Sequence, residues 1–561
     1  MLAVISSLLV MLAARTLYVQ GPKASAYAAY GRSEQYETVT LPADRGTVYD
    51  RNGNVVAISV PRVDVIADDF LIHSASGASA GARALAPVLH LPVASLVRKL
   101  TERSGYIPIA MDVSQAAAAR VESLGLPFLA FVPDQVRQDP AGSLFQPLLG
   151  VVGWGGRGLS GIEYLYQRAL AGRSGEERVL VGAAGEQLPG GGQVLHEAVQ
   201  GEGLVLTLDE PLQYEVSKAL SAEMLLQKAT EGVCVVLDTR TGGILSMVNL
   251  VRHGRQVLPA SQNLATDIVY QPGSVMKLAT FAGALQDHLI TPDEELTVPF
   301  TTWVGGWPFQ DAEFHPTEQM PVTQILAQSS NVGTIEIAHR LGEQRLLYYL
   351  HALGFGRLTA LDWPGASAGL VPTPAQFASS ASDMGTVPIG TGEAVTPLQI
   401  AEAYNTVADG GVYVPPRLVE AVVEPNGRER PVPAPASHRV LDRSTVAELV
   451  PMLEQVTAVG TGTMAEIPGY TVAGKTGTAQ IPSTTGPGYQ PGAWNATFVG
   501  FVPAKNPQLT AVVFLSHPSA MYGGSASAPV FASIMKYALR HFDISPDGAS
   551  GLAGTTSPSR P

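Results

Sequence analysis

"IPGYTVAGKTGTAQ", residues 467–480, places Gly469, Gly474, Lys475 and Thr476 on the fixed positions of the phosphate-loop pattern G-x-x-x-x-G-K-[ST]. A phosphate loop needs a strand entering it and a helix leaving at the lysine, so that free amides and the helix dipole face phosphate. Here the intervening residues are "YTVA", whose β-branched members suit extended chain. The residues after Lys475-Thr476 are "GTAQIPSTTGPG", too rich in Gly and Pro to carry a helix. The stretch therefore reads as a strand running through Lys475, with Gly474 and Gly477 leaving backbone open to a ligand. Lys475-Thr476-Gly477 is the motif to explain, and nucleotide binding is not expected.

Composition narrows the classes. The 561 residues leave room for about two to four domains. A hydrophobic content of 46% with 15% charged residues describes an ordered globular chain. The net charge of −13, with no run of Lys or Arg, argues against a nucleic-acid partner. Cys234 is the only cysteine, which rules out a disulfide framework or a thiolate cluster. Within the apolar strand pattern "GVCVVLDTRTGGIL" it reads as a core residue. "HEAVQ" at 196–200 lacks the second His of a zinc-protease helix, so neither a metal nor any other cofactor is expected.

The N-terminal "MLAVISSLLVMLAA" is apolar for fourteen residues and then meets Arg15. Fourteen helical residues reach about 21 Å, and extension to Val19 gives about 28 Å against a hydrocarbon core of roughly 30 Å. Arg15 can snorkel to the interface. A cleaved signal peptide is the rival reading, since "ASA" at 24–26 resembles a cleavage site. The basic flank expected before either is missing, so the apolar segment reads as cut short at its start. Because Arg15 interrupts a signal-type apolar region, an uncleaved single-pass anchor over 1–20 is expected. No Cys follows it to take a lipid.

Residues 21–200 begin with a polar stretch, "KASAYAAYGRSEQYE", readable as a helix or a stalk. In "RGTVYDRNGNVVAISV", Asp50–Gly53 is a turn signal between two β-patterned runs and predicts a hairpin. Gly-rich turns continue to a flexible "PGGGQVLHEAVQGEG". From 201 to 542 the pattern is α/β, opening with a strand and an amphipathic helix. Thr396, Pro397, Gln399 and Gly410 punctuate a capped helix within it. The Gly/Ser/Pro-rich residues 543–561 are expected to be disordered.

Two further motifs join Lys475. "QPGSVMKLATFAGAL" puts Ser274 at a helix start after Pro272-Gly273, with Lys277 three residues on and on the same face. A serine hydroxyl needs a neighbouring base. Lysine can be that base only when burial or a second cation, such as Lys475, depresses its pKa. The Ser274 amide at the helix start is free to donate to an oxyanion. Alone, the pair equally describes a capped helix with a surface lysine. In "ILAQSSNVGTIEIAHRL", Ser329-Ser330-Asn331 interrupts two apolar helical stretches. Ser329 suits a proton relay and Asn331 a substrate amide, although Asn331 also suits a helix N-cap. On the strand, an extended peptide can pair with the Lys475-Thr476-Gly477 edge. Lys475 and Thr478 can hold a carboxylate, and the Thr478 amide can be the second oxyanion donor.

The order S-x-x-K, S-x-N, K-T-G resembles the set shared by penicillin-binding proteins and class A β-lactamases. "RGTVYDRNG", "GLSGIEYLY", "LTLDEPLQ", "DTRTGGILSM", "YQPGSVMK", "SSN", "VTPLQIAEAY", "AGKTGTAQ" and "FVGFVPAKNP" extend the likeness over roughly residues 45–535. Together they look like a class B penicillin-binding protein, most like the division-specific septal transpeptidase. The resemblance implies an α/β (α+β) architecture: a penicillin-binding/β-lactamase-like transpeptidase domain at 201–542, an elongated pedestal (dimerisation-type) domain at 21–200 and the anchor. It implies an extracytoplasmic D,D-transpeptidase, blocked by β-lactams, that cross-links peptidoglycan stem peptides through an acyl-enzyme. Ser274, Lys277, Ser329 and Lys475 would be catalytic, and Asn331, Thr476, Gly477 and Thr478 would bind substrate. Its implied partners are glycan strands derived from lipid II, a glycan polymerase and other divisome membrane proteins. Rival readings are a side-wall or sporulation transpeptidase, a D,D-carboxypeptidase or β-lactamase-like hydrolase, and a non-enzymatic β-lactam-binding scaffold. Against a class A hydrolase, no Glu stands between Glu343 and Glu393.

Overall fold

The computed structural model describes residues 2–27, 36–72, 74–181 and 192–547. Helix α1 (Leu2–Gln20) leaves most of its apolar side chains exposed. Among the described residues it is the one helix long and apolar enough to cross a membrane. The Arg15 guanidinium lies 5.7 Å from the Tyr18 ring.

The expected hairpin forms from β1 (Val48–Tyr49) and β2 (Val55–Ala67). Its turn is built by Asp50, whose Oδ1 accepts from the amides of Asn52 and Asn54, both at 2.8 Å, while Gly53 takes φ 83°. Strand β2 is long enough to serve further partners. Its second half pairs with β3 (Ile107–Val113) on one edge and with β4 (Leu129–Gln138) on the other. Through β1 the same sheet continues to β5 (Gly203–Leu206) and on to Val419–Val423 and Glu429–Pro431. This seven-stranded sheet therefore ties the residues before 200 to those after it.

A second tie is polar. Asp209 caps helix α2 (Glu210–Gln227), accepting from the Leu212 amide, and also accepts from Asn52 Nδ2 at 3.0 Å. Asp50 Oδ2 in turn accepts from the Glu210 amide at 3.2 Å. Nearer the N-terminus, Arg45 and Arg137 share Glu163 at 2.5 and 2.7 Å, with all three side chains largely removed from water. Such a triad holds only as a complete set, because losing the shared carboxylate leaves two buried cations.

Two expectations need correction. Gln193–His196, within the stretch expected to be flexible, is a strand paired with Gly175–Leu180. Residues 543–547 are held as well: Ile544 O accepts from Tyr470 Oη, and Asp547 accepts from the Thr471 amide, both at 2.7 Å. Residues 548–561, the rest of the expected disordered tail, lie outside the described residues, as do 28–35 of the stalk.

The second half is built on a six-stranded antiparallel sheet. Its strands are β6 (Glu231–Asp238), β7 (Ile244–His253), β8 (Gln256–Pro259), β9 (Ala473–Pro482), β10 (Tyr489–Val502) and β11 (Leu509–Ser516). They run in the order β8–β7–β6–β11–β10–β9. The central strands are covered on both faces, which explains their unbroken apolar runs. On one face α2 packs with the C-terminal helix Ala528–His541 through Leu212, Val216, Phe531 and Met535. Cys234 is buried in this layer, and burial pushes its thiol far above the ordinary range. The other face takes helix α3 (Lys277–Gln286) and the helix Pro397–Ala408, whose expected Thr396/Gln399 capping box is present.

Strand β9, with Lys475, lies at the edge of this sheet. Its glycines also permit close packing. A Cβ on Gly477 would lie 2.6 Å from Pro272 O, and one on Gly273, at φ 61°, would lie 2.5 Å from Thr478 O. A Cβ on Gly474 would meet Phe498 at 2.7 Å. The turn carrying Ser274 is thus seated on β9 at backbone contact. Gly477→Ala should lift this turn from the strand and slow acylation by a fluorescent penicillin about 10²-fold, the cost of a displacement near 1 Å. Far-UV circular dichroism should be unchanged, and a rate within twofold of wild type would refute the argument.

Candidate active site

Ser274 sits half-buried in a single 3-10 turn, Gly273–Met276, that leads directly into α3. The turn is fixed from two sides: the Gly273 amide donates to Gly390 O at 2.9 Å, and Tyr404 Oη donates to Val275 O at 2.9 Å. One turn on, Lys277 is wholly buried. Its amino group donates to Ser329 O at 2.6 Å, to Asn331 Oδ1 at 2.8 Å and to Ser329 Oγ at 3.3 Å. Lys475, equally buried, approaches the same hydroxyl from β9, with Nζ 2.9 Å from Ser329 Oγ. The three motifs therefore converge on one hydroxyl.

Two buried amines so close cannot both stay charged cheaply. Burial draws Lys277 down to about 7, against the opposing pull of Asp311. Lys475 is held well below the usual lysine range, by burial first and by the charge of Lys277 second. Of the two causes the sequence offers for a depressed Lys277, burial is the leading one.

Ser329-Ser330-Asn331 joins Val322–Ala327 to helix α4 (Asn331–Leu341). Ser329 takes φ 62°, a left-handed conformation that a serine adopts rarely and that turns its carbonyl and hydroxyl toward the lysines. The N-cap is Ser330, whose Oγ accepts from the Gly333 amide at 2.9 Å, so the capping role considered for Asn331 falls to its neighbour. Asn331 is left to the cluster: Oδ1 receives Lys277, and Nδ2 donates to Gln310 O at 2.9 Å.

The remaining expected residues divide. Thr476 is buried as a support, its Oγ1 2.7 Å from Thr461 Oγ1 and 3.3 Å from Lys475 Nζ. Thr478 is half-buried, and its hydroxyl accepts from the Gly523 amide at 3.1 Å. Its main chain lies against Gly273, which brings it beside the Ser274 turn.

Sequence reasoning misses Asp311. Its Oδ1 accepts from the amides of Asn331 and Val332 at 2.5 and 2.9 Å, and its Oδ2 from Ser330 Oγ at 2.7 Å. It thereby clamps the turn that presents Ser329 and Asn331. No local pattern marks it, because it lies 20 residues upstream of Asn331, just after the hairpin Thr301–Gln310.

Comparison with known proteins places the chain in a family. The family described as "Penicillin binding protein transpeptidase domain" matches residues 232–536, and "Penicillin-binding Protein dimerisation domain" matches 40–155. The chain is 32% identical to "Penicillin-binding protein PbpB" of Mycolicibacterium smegmatis over 97% of its own length and 90% of that protein. It is 31% identical to "Peptidoglycan D,D-transpeptidase FtsI" of Escherichia coli K12, covering 90% and 85%. Among solved structures, penicillin binding protein 3 of Mycobacterium tuberculosis in complex with aztreonam superposes with a TM-score of 0.72 at 29% identity, over 91% of this chain and 98% of that one. On these grounds the chain belongs to the penicillin-binding protein transpeptidase family.

Proposed function

We propose that this enzyme joins neighbouring peptidoglycan stem peptides during septal wall synthesis, through an ester on Ser274. The observation that carries the reading is the convergence of Lys277 and Lys475 on Ser329 beside the Ser274 turn. Neutral Lys277 takes the Ser274 proton as the hydroxyl attacks the penultimate D-Ala carbonyl. The amides of Ser274 and Thr478 receive the oxyanion. Ser329 relays a proton to the departing D-Ala and later from the incoming amine, while Asn331 orients the donor amide. Gly477 seats the Ser274 turn on β9, and Thr476 holds Lys475 toward the Ser329 hydroxyl. In this reading residues 1–20 anchor a pedestal of 21–200 and a catalytic domain of 201–542 on the outer face of the membrane. The pedestal meets a glycan polymerase and other division proteins.

A hydrolytic reading needs a base for water at the ester. Glu393 is on the segment that pairs through Val395 with Tyr270, but its carboxyl is buried. Burial raises its pKa well above the ordinary range, and both carboxyl oxygens are closed off from solvent. This favours a long-lived acyl-enzyme over turnover by water.

Incubation with benzylpenicillin followed by intact-protein mass spectrometry should show one adduct that persists for many minutes and maps to the peptide holding Ser274. Ser274→Ala should show none, and an adduct on that variant would remove Ser274 from its role. The acylation rate should also depend on pH. Only neutral Lys277 can accept a proton, so the rate rises as pH passes upward through about 7. A flat profile across the range from mildly acidic to mildly alkaline would exclude Lys277 as the base. The septal role is tested by a fluorescent fusion, which should concentrate at the division site. A uniform side-wall signal would assign the enzyme to elongation.

A further inference from the structure

His315 lies outside the three motifs, yet it touches the carboxylate that clamps the Ser329 turn. Its Nε2 is 3.0 Å from Asp311 Oδ2, and its Nδ1 is 2.8 Å from Pro316 O. A second carboxylate, Glu318, has Oε1 3.5 Å from Nδ1. A carbonyl and ionised carboxylates can only accept, so both ring nitrogens must donate for both contacts to be favourable. Neutral imidazole has one N–H and would set a lone pair against an oxygen. The geometry therefore asks for an imidazolium.

We propose that His315 is a positioning residue for acylation: as a cation it holds Asp311 on the Ser330-Asn331 turn, and losing its proton loosens the seat of Ser329 and Asn331. The inference rests on the reading of Lys277 as base. The connection runs through named contacts. Asp311 Oδ2 is shared between His315 and Ser330 Oγ, and Oδ1 holds the amides of Asn331 and Val332. Asn331 and Ser329 then present the three oxygens that Lys277 donates to. The charged groups around this unit are Asp311 and Glu318 on the segment of His315, Lys277 on α3 and Lys475 on β9. The aromatic ring of Phe300 stands edge-on to the imidazole at 6.0 Å.

The two titrating groups respond to pH in opposite directions. Burial opposes the charge on His315, but the contacts with Pro316 O, Asp311 and Glu318 outweigh it and raise the pKa. Its cation is present at low pH and is lost as pH rises through the raised value. Lys277 becomes active as pH rises through about 7. Removing the His315 charge also leaves Asp311 uncompensated, which favours protonated Lys277 and moves the rising limb to higher pH.

The proposal is tested with the acylation rate constant for a fluorescent penicillin, followed from mildly acidic to alkaline pH on the full chain in detergent. His315→Gln keeps a donor for Asp311 but no charge. The wild-type to variant ratio should be on the order of 10-fold at the acid end, within the range expected when a reacting group is misplaced. It should approach unity at the alkaline end. His315→Lys and His315→Arg keep a cation to higher pH, and at least one should recover the wild-type rate at low pH. A ratio near unity throughout, or a constant ratio at every pH, would overturn the proposal. So would failure of both cationic variants to recover the rate. Lys277→Ala is run beside them: near-normal acylation there would refute the base assignment itself, whatever His315 does.

Discussion

Two amino groups, both removed from water, meet on the hydroxyl of Ser329, and the chemistry of the site depends on that constraint. In solution each amine would hold its proton at neutral pH and neither would be a base. Burial changes this, because a charge without water is costly and two like charges side by side are costlier. The cluster can lower that cost by giving up a proton. The oxygens of Ser329 and Asn331 keep the remaining charge hydrogen-bonded, and Asp311 supplies a counter-charge behind them. The surrounding fold serves to hold three remote segments at this spacing.

The sheet and the glycines supply that spacing. Strand β9 fixes the height of Lys475 through its register with β10, where Lys475 faces Val499. The Ser274 turn then rests on β9 without an intervening side chain, because Gly273 and Gly477 remove the atoms that would collide. A methyl group at either position would meet main-chain oxygen, which has little freedom to retreat. Ser274, the proposed nucleophile, is therefore placed by backbone contact rather than by a flexible side-chain bridge.

Much of this is legible in the sequence, and the pattern of what is not is physical. Ser274, Lys277 and the Asp50–Gly53 hairpin are local features, governed by breakers, caps and helical spacing within a few residues. Cys234 and the buried strands are readable from unbroken apolar runs. The close packing at the glycines of β9 escapes because local sequence gives their conformational freedom but not their neighbours. Asp311 and His315 escape for a related reason. The partner of Asp311 is a turn well downstream in the chain, with no periodicity linking the two, and His315 reaches that turn only through Asp311. Strand Gln193–His196 reads as flexible because its glycine-rich approach hides a short pairing with Gly175–Leu180.

In the proposed reaction the same arrangement favours an amine over water. The edge of β9 has no strand partner on its outer side among the described residues, so an extended peptide can align there by main-chain hydrogen bonds. An acceptor amine oriented beside the bound peptide arrives, in the proposed reaction, at high effective concentration, close to the Ser329 hydroxyl proposed to take its proton. Water gains nothing from that alignment. Glu393 is enclosed, and burial raises its pKa well above the ordinary range. Selectivity for amine over water in the proposed reaction comes from which nucleophile the fold orients.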